Sequence, residues 1–239
     1  MSSPDTRYLE QFLGIIYRVS KKINVPHPPH LAHLIKSHNP PEPKNIEAAI
    51  MLAGQSFKDA QCACLFANIV NLCTKNGQVT EKGLISVSQD HLRLEKPDAR
   101  DMEEAIEIRF QINRIFRTDE ELQVLCAGLF AMAQSDQELV DAERAYLQQF
   151  ITDSKHIEGG MKLGAERGVD IGEKLAAFNN RQKRCFASHA IAIMFIDGQW
   201  KGTEQEFMDA VVKRMVMSQF DVKRLMKGLY TLFNVSVFA

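Results

Sequence analysis

The sequence predicts an all-α protein, a multi-helix bundle built from repeated helical hairpins. Three observations lead there. Apolar residues recur at spacings of three and four along most of the chain. No stretch alternates apolar and polar residues with β-branched enrichment, as a half-buried strand would. A unit of apolar helix, tight turn and second helix recurs, with turns at Asn76, Asp136 and Asp197, 60 and 61 residues apart.

The elements follow in order. Phe12, Leu13, Ile15, Ile16 and Val19 make one helical face within 1–24, and Pro26, Pro28 and Pro29 end it. A short histidine-rich helix fits 27–38 and is closed by Asn39-Pro40-Pro41-Glu42-Pro43. Helical pattern resumes at 45–55 and again at 57–74. The run from Ala60 to Cys73 is apolar on nearly every side, which marks a central helix. Asn76-Gly77 stops it, a helix of about 80–93 follows, and Pro97 marks the next break. Residues 98–116 read as one helix, with acids early and arginines late to suit its dipole.

Thr118-Asp119-Glu120-Glu121 is a capping-box signature opening the run from Leu122 to Ala133. A helix over 143–155 comes next. Residues 156–170 carry Gly159, Gly160, Gly164 and Gly168, and read as a loop or a short, poorly formed helix pair. Asn179 or Asn180 caps a helix running to Ile196. Thr203-Glu204-Gln205-Glu206 is a second capping box, and Ser218-Gln219-Phe220-Asp221 starts the last helix.

Composition bounds the function. Lys+Arg is 29 and Asp+Glu 30, a formal net charge of −1, which gives no general pull towards nucleic acid or an anionic membrane. The local basic cluster Arg181, Lys183, Arg184 reads as a solvated helix face. No run is long and apolar enough to span a membrane, and Met1-Ser2-Ser3-Pro4-Asp5 does not open a signal peptide. Five cysteines (Cys62, Cys64, Cys73, Cys126, Cys185) sit in apolar runs as small buried hydrophobes, so a reducing, cytoplasmic setting is expected.

Two readings of the repeat stand side by side. In the structural one, Asp197 ends a helix, Gly198 takes a left-handed conformation, and Trp200 plugs an apolar position that Leu139 and Val79 fill in the other copies. Glu143 and Glu204, each seven residues after its aspartate, then favour the next helix N-terminus. In the sharper reading the acids converge. Asp136, Glu143, Asp197 and Glu204, with Glu138, Asp141 and Glu206 beside them, supply hard oxygen ligands for a divalent cation of unspecified identity. An EF-hand is excluded, because its first and third ligand places would fall on Ile193 and Phe195. His30 and His33, three apart, could hold a metal with Cys62 or Cys64, but no C-x-x-C or H-E-x-x-H spacing accompanies them.

The pattern of apolar helix, D-G-x-apolar, then E, repeated about sixty residues on, resembles the TerB-like (tellurite resistance protein B-type) helical domain family. The matching positions are Asp136, Leu139 and Glu143, then Asp197, Gly198, Trp200 and Glu204, across about 118–239. Gln137 stands where the family has glycine, and the copy at 75–83 lacks both acids (Asn76, Gly83). The resemblance implies a compact helical bundle with an acidic metal site, a bacterial stress-response setting linked to the envelope, and no catalysis. It divides the chain into an N-terminal helical region, 1–117, and a TerB-like domain, 118–239.

The expected function is thus a non-catalytic interaction or scaffold module with a protein partner. No nucleic acid is expected; peripheral membrane association stays open, as does the oligomeric state. Two alternatives remain. One is a metal-dependent hydrolase using the same carboxylates. No nucleophile–base pair shows a recognisable spacing, His156 and His189 stand isolated in the sequence, and His189 reads as a satisfied core histidine. The other is an apolar-ligand-binding bundle, since ten methionines and fourteen phenylalanines could line a pocket.

Overall fold

The computed structural model describes residues 4–133, 141–151, 153–166, 170–196 and 202–238, without the side chains of 4–5, 141–144, 203–204 and 207. The chain is all-α, a multi-helix bundle with almost no strand. It divides into two compact units: residues 1–107 together with 228–239, and residues 108–227.

The first unit opens with α1 (Pro4–Ile23), α2 (Pro29–His38) and α3 (Ile46–Ser56). Asn45 caps α3 by accepting from the Ala48 N–H at 3.1 Å. At the centre lies α4 (Asp59–Cys73), buried along most of its length from Gln61 to Cys73. This is the helix whose all-round apolarity marked it as central, and α1, α5 and α6 pack on it. Its two buried amides carry structural bonds. Gln61 Nε2 donates to the Val237 carbonyl at 2.9 Å and Asn68 Nδ2 to that of Leu232 at 3.0 Å, so the C-terminal residues are stitched to this helix. Phe238 stacks on Phe12 with ring centroids 4.5 Å apart, which closes the core beside it.

At Asn76-Gly77 the chain makes a small β-hairpin, β1 (Thr74–Lys75) against β2 (Gln78–Val79). Asn76 (φ 51°) and Gly77 (φ 71°) are both left-handed, the geometry for which the Asn-Gly pair is suited. The tight turn expected between two helices thus carries a short pair of strands that the repeat pattern alone does not show. Next come α5 (Lys82–His91) and α6 (Lys96–Glu107). Pro97 lies in the first turn of α6, where its missing N–H costs nothing.

The second unit starts where the expected 98–116 helix divides. A 3-10 turn, Ile108–Gln111, follows α6, and α7 (Ile112–Ile115) follows the turn. Then α8 (Asp119–Ala133) opens on the expected capping box: the Glu121 N–H donates to Thr118 Oγ1 at 3.1 Å, and the Thr118 N–H to Glu121 Oε2 at 3.2 Å. The expected 143–155 helix is two helices, α9 (Asp141–Phe150) and α10 (Ser154–Ala165), because Asp153 caps the second by accepting from the Lys155 N–H. Gly159, Gly160 and Gly164 therefore lie on a regular helix, while Gly168 lies outside the described residues. A Cβ at Gly160 would collide with Cys126 Cβ and the Ala127 backbone, and one at Gly159 would meet the Gln123 side chain. Their role is close approach to α8, which α10 packs along extensively.

The short α11 (Ile171–Ala176) leads to α12 (Asn180–Ile196), almost wholly buried from Cys185 to Phe195. Asn179 is its cap, accepting from the Gln182 N–H at 3.0 Å, while Gln182 Oε1 accepts from the Asn179 N–H. Both α9 and α8 pack on α12, as does α13 (Gly202–Arg214). The last helix, α14 (Gln219–Phe233), ends within the first unit, where Gly228 lies against Ala105 of α6. A final 3-10 turn spans Val235–Phe238. Among the described residues no helix is long and apolar enough to cross a membrane.

Candidate functional site

The first unit carries an open cleft of about 550 Å³ between α1, α3 and the proline segment that joins α2 to α3. Three local features build it. Gly14 leaves no Cβ on one side of α1, so the Pro41 carbonyl comes into van der Waals contact there. Arg18 and Lys21, one turn apart on α1, bond the two Glu42 oxygens at 2.6 and 2.8 Å and tie the proline segment down. Those bonds, Lys21's first, pull the Glu42 carboxyl below the usual carboxylate range, and Glu42 in turn raises the Lys21 ammonium. On the far side, α3 buries Ile50, Ala53 and Gly54 and turns Ala49, Leu52 and Gln55 to the cleft.

Leu52 is 53% exposed and its neighbour Met51 40% exposed. The cleft is thus an apolar floor of Ile15, Pro41, Pro43 and Leu52 with Arg7, Glu10 and Glu42 at its margins. A wall of apolar side chains rimmed by both charge signs holds an apolar anchor and orients the polar chain carrying it.

A second cleft, about 560 Å³, borders the Asn76-Gly77 hairpin, lined by Gly77, Val79, Lys82, Gln89, Glu103 and Glu107. Glu103 and Glu107 lie one turn apart on α6. Burial pushes both carboxyls up, and for Glu107 the neighbouring Glu103 and Glu104 add to the rise.

The second unit holds a buried polar cluster. Arg109, Tyr146 and His189 are each at most 2% exposed. His189 Nε2 lies 3.1 Å from the Arg109 carbonyl oxygen, which can only accept, so Nε2 carries the proton and Nδ1 accepts from Tyr146 Oη at 2.9 Å. Burial, with the Arg109 charge beside it, pushes His189 down to about 3, so the ring is neutral. Burial also raises the Tyr146 hydroxyl to about 12. The Arg109 guanidinium stands 5.7 Å from the Phe110 and Phe150 ring centres. His189 is therefore the satisfied core histidine the sequence suggested. His156, isolated in the sequence, bonds Asp119 Oδ1 through Nε2 at 3.0 Å.

The cysteines are all buried. Burial raises the thiols of Cys64, Cys73 and Cys126 to about 12, and those of Cys62 and Cys185 also rise, so they stay protonated at neutral pH. His30 donates through Nε2 to Asn68 Oδ1 at 3.0 Å, a bond within the core of the first unit. Among the described residues no group of three or more His, Cys, Asp or Glu is arranged to hold a metal ion.

Of the four acids singled out in the sequence, Asp136 and Asp197 lie outside the described residues. Glu143 is in the first turn of α9 and Glu204 in the first turn of α13, and both helices pack on α12. Their side chains are outside the description. Sequence reasoning missed the cleft. Its available signals were Gly14 inside an apolar helix face and the adjacent Met51-Leu52, an apolar surplus beyond what one buried face of α3 needs.

No protein-family model, no curated protein and no solved structure matches the chain.

Proposed function

We propose that the chain is a non-catalytic helical interaction module that captures an apolar anchor of a partner protein in the cleft between α1 and α3. The observation that supports this most is Leu52, half exposed on α3 and facing a rimmed apolar cleft of about 550 Å³. A folded chain gains nothing from leaving such a side chain in water, whereas a partner gains by covering it. Leu52→Asp tests the reading. Because Leu52 is already exposed, the variant keeps the wild-type melting temperature. A partner recovered with the full chain should bind it at least about tenfold more weakly by calorimetry, a loss of about 1.4 kcal/mol. An unchanged affinity removes the cleft from the reading.

The acid pairs Asp136, Glu143, Asp197 and Glu204 and their TerB-like spacing motivate a second part of the proposal, a divalent cation that modulates the module. The measurement is the melting temperature of the full chain with calcium, magnesium, manganese or zinc. A cation-dependent rise that the Asp136→Ala, Asp197→Ala double variant abolishes supports this part. No rise with any of the four cations ends it.

A further inference from the structure

We infer that the corner between α13 and α14 is a membrane-surface contact, which sets Val216 and Phe220 among the headgroups of an anionic lipid leaflet. The end of α13 is closed by two bonds, from the Val216 N–H to the Lys213 carbonyl and from the Met217 N–H to the Val212 carbonyl, both 3.2 Å. That pairing is the Schellman motif, and it places Val216 in the left-handed position (φ 53°). Where a helix ends this way the position is usually glycine and sometimes asparagine; Asn24 and Asn39 fill it after α1 and α2, and the unbranched Arg93 after α5. A β-branched residue is strained there. Val216 is also 87% exposed, so no burial offsets the strain.

Phe220, the second residue of α14, is 69% exposed. Lys223, Arg224 and Lys227 follow it by three, four and seven residues and so share its face, and the Arg224 guanidinium stands 5.7 Å from the Phe220 ring centre. Lys183, from the basic cluster near the start of α12, reaches the same corner and donates to the Met215 carbonyl at 2.8 Å. Between 213 and 227 there are five Lys and Arg and a single acid, Asp221, in a chain whose total charge is −1. Arg214 is engaged by Asp170, the cap of α11.

Two projecting apolar side chains inside a basic patch match an anionic bilayer surface, which accepts an apolar tip and attracts cations together. They match a folded protein partner poorly. A stable protein interface needs on the order of 1,000 Å² in total, and two side chains on a convex corner offer a small part of that. This contact lies in the second unit and is independent of the cleft on the first.

The test is co-sedimentation of the full chain with vesicles of phosphatidylcholine alone, or of phosphatidylcholine and phosphatidylserine in equal parts. The account expects sedimentation only with phosphatidylserine, weakening as salt rises. Val216→Gly should raise the melting temperature by relieving strain while lowering vesicle binding, a pair of changes that misfolding cannot produce. Adding Phe220→Ser should bring the loss to at least about tenfold. Lys223→Glu with Lys227→Glu should cost at least about fivefold for each lysine. Absence of sedimentation, equal binding to both vesicle types, or undiminished binding by the Val216→Gly, Phe220→Ser variant overturns the inference. So does binding to duplex DNA without binding to vesicles, which would assign the corner to a soluble polyanion.

Discussion

At His189 a titratable group is held in one state by its surroundings. Its ring is neutral because burial and the Arg109 charge depress it to about 3 from an ordinary value of 6.5. The sign of the pH effect follows. Above pH 6.5 the ring is neutral folded or unfolded, and its two hydrogen bonds contribute in full. As pH falls below 6.5 the unfolded chain takes up a proton that the folded chain refuses, so stability is lost progressively down to about pH 3. His189→Leu removes the bonds to Tyr146 and to the Arg109 carbonyl, leaves both groups unsatisfied, and melts lower than wild type at neutral pH. The gap should narrow as the buffer is taken to about pH 4, because only the wild type has this proton linkage. Melting curves of the two proteins across that range make the check, and a constant gap contradicts the neutral ring. Glu121 offers a second residue-scale test. Its Oε2 accepts from the N–H groups of Arg117 and Thr118, while its Oε1 accepts from Gln182 Nε2 at 2.8 Å, so one carboxylate joins the capping boxes of α8 and α12. Glu121→Ala should cost about 1–2 kcal/mol in denaturant unfolding, and a loss within error would show that the link is not stabilising.

At the scale of elements, the glycine stretch is where sequence and structure parted most. Glycine lowers helix propensity, so Gly159, Gly160 and Gly164 argued for a loop or a short, poorly formed helix pair. The structure makes them the contact face of α10 on α8, a use that single-sequence propensity does not carry because it depends on what lies opposite. Gly160→Leu should therefore destabilise the chain by about 1–3 kcal/mol through overpacking against Cys126, despite leucine's better helix propensity. A more stable variant in thermal melts would contradict the packing. Other elements were legible because their causes are local. The Thr118 to Glu121 box, the Asn179 cap and the all-round apolarity of α4 each act within a few residues. The division of 98–116 at Ile108–Gln111 was not legible, since no proline or glycine marks it. At Asn76-Gly77 the turn was legible, but its pair of two-residue strands was not, although the dipeptide carries a hairpin signature.

At the scale of the molecule, the repeat read from the turns is visible in the helices that precede them. Among the described residues α4, α8 and α12 are the most buried helices, and each precedes one of the three motif copies, of which Asp136 and Asp197 lie outside the described residues. The fold was thus legible from periodicity. The candidate site was not, because a cleft is made by residues distant in sequence: Gly14 on α1, Glu42 on the proline segment and Leu52 on α3. Only the tertiary arrangement shows that Gly14 serves the approach of Pro41, and that Leu52 is left over once α3 has buried Ile50 and Ala53. The proposal of an interaction module rests on that leftover surface. Amide hydrogen exchange of the full chain, free and bound to a partner recovered with it, tests this most directly. The account predicts slowed exchange along the cleft, over residues 7–15 of α1 and 41–56 of the proline segment and α3. Unchanged exchange in those residues, with protection only elsewhere, would contradict it.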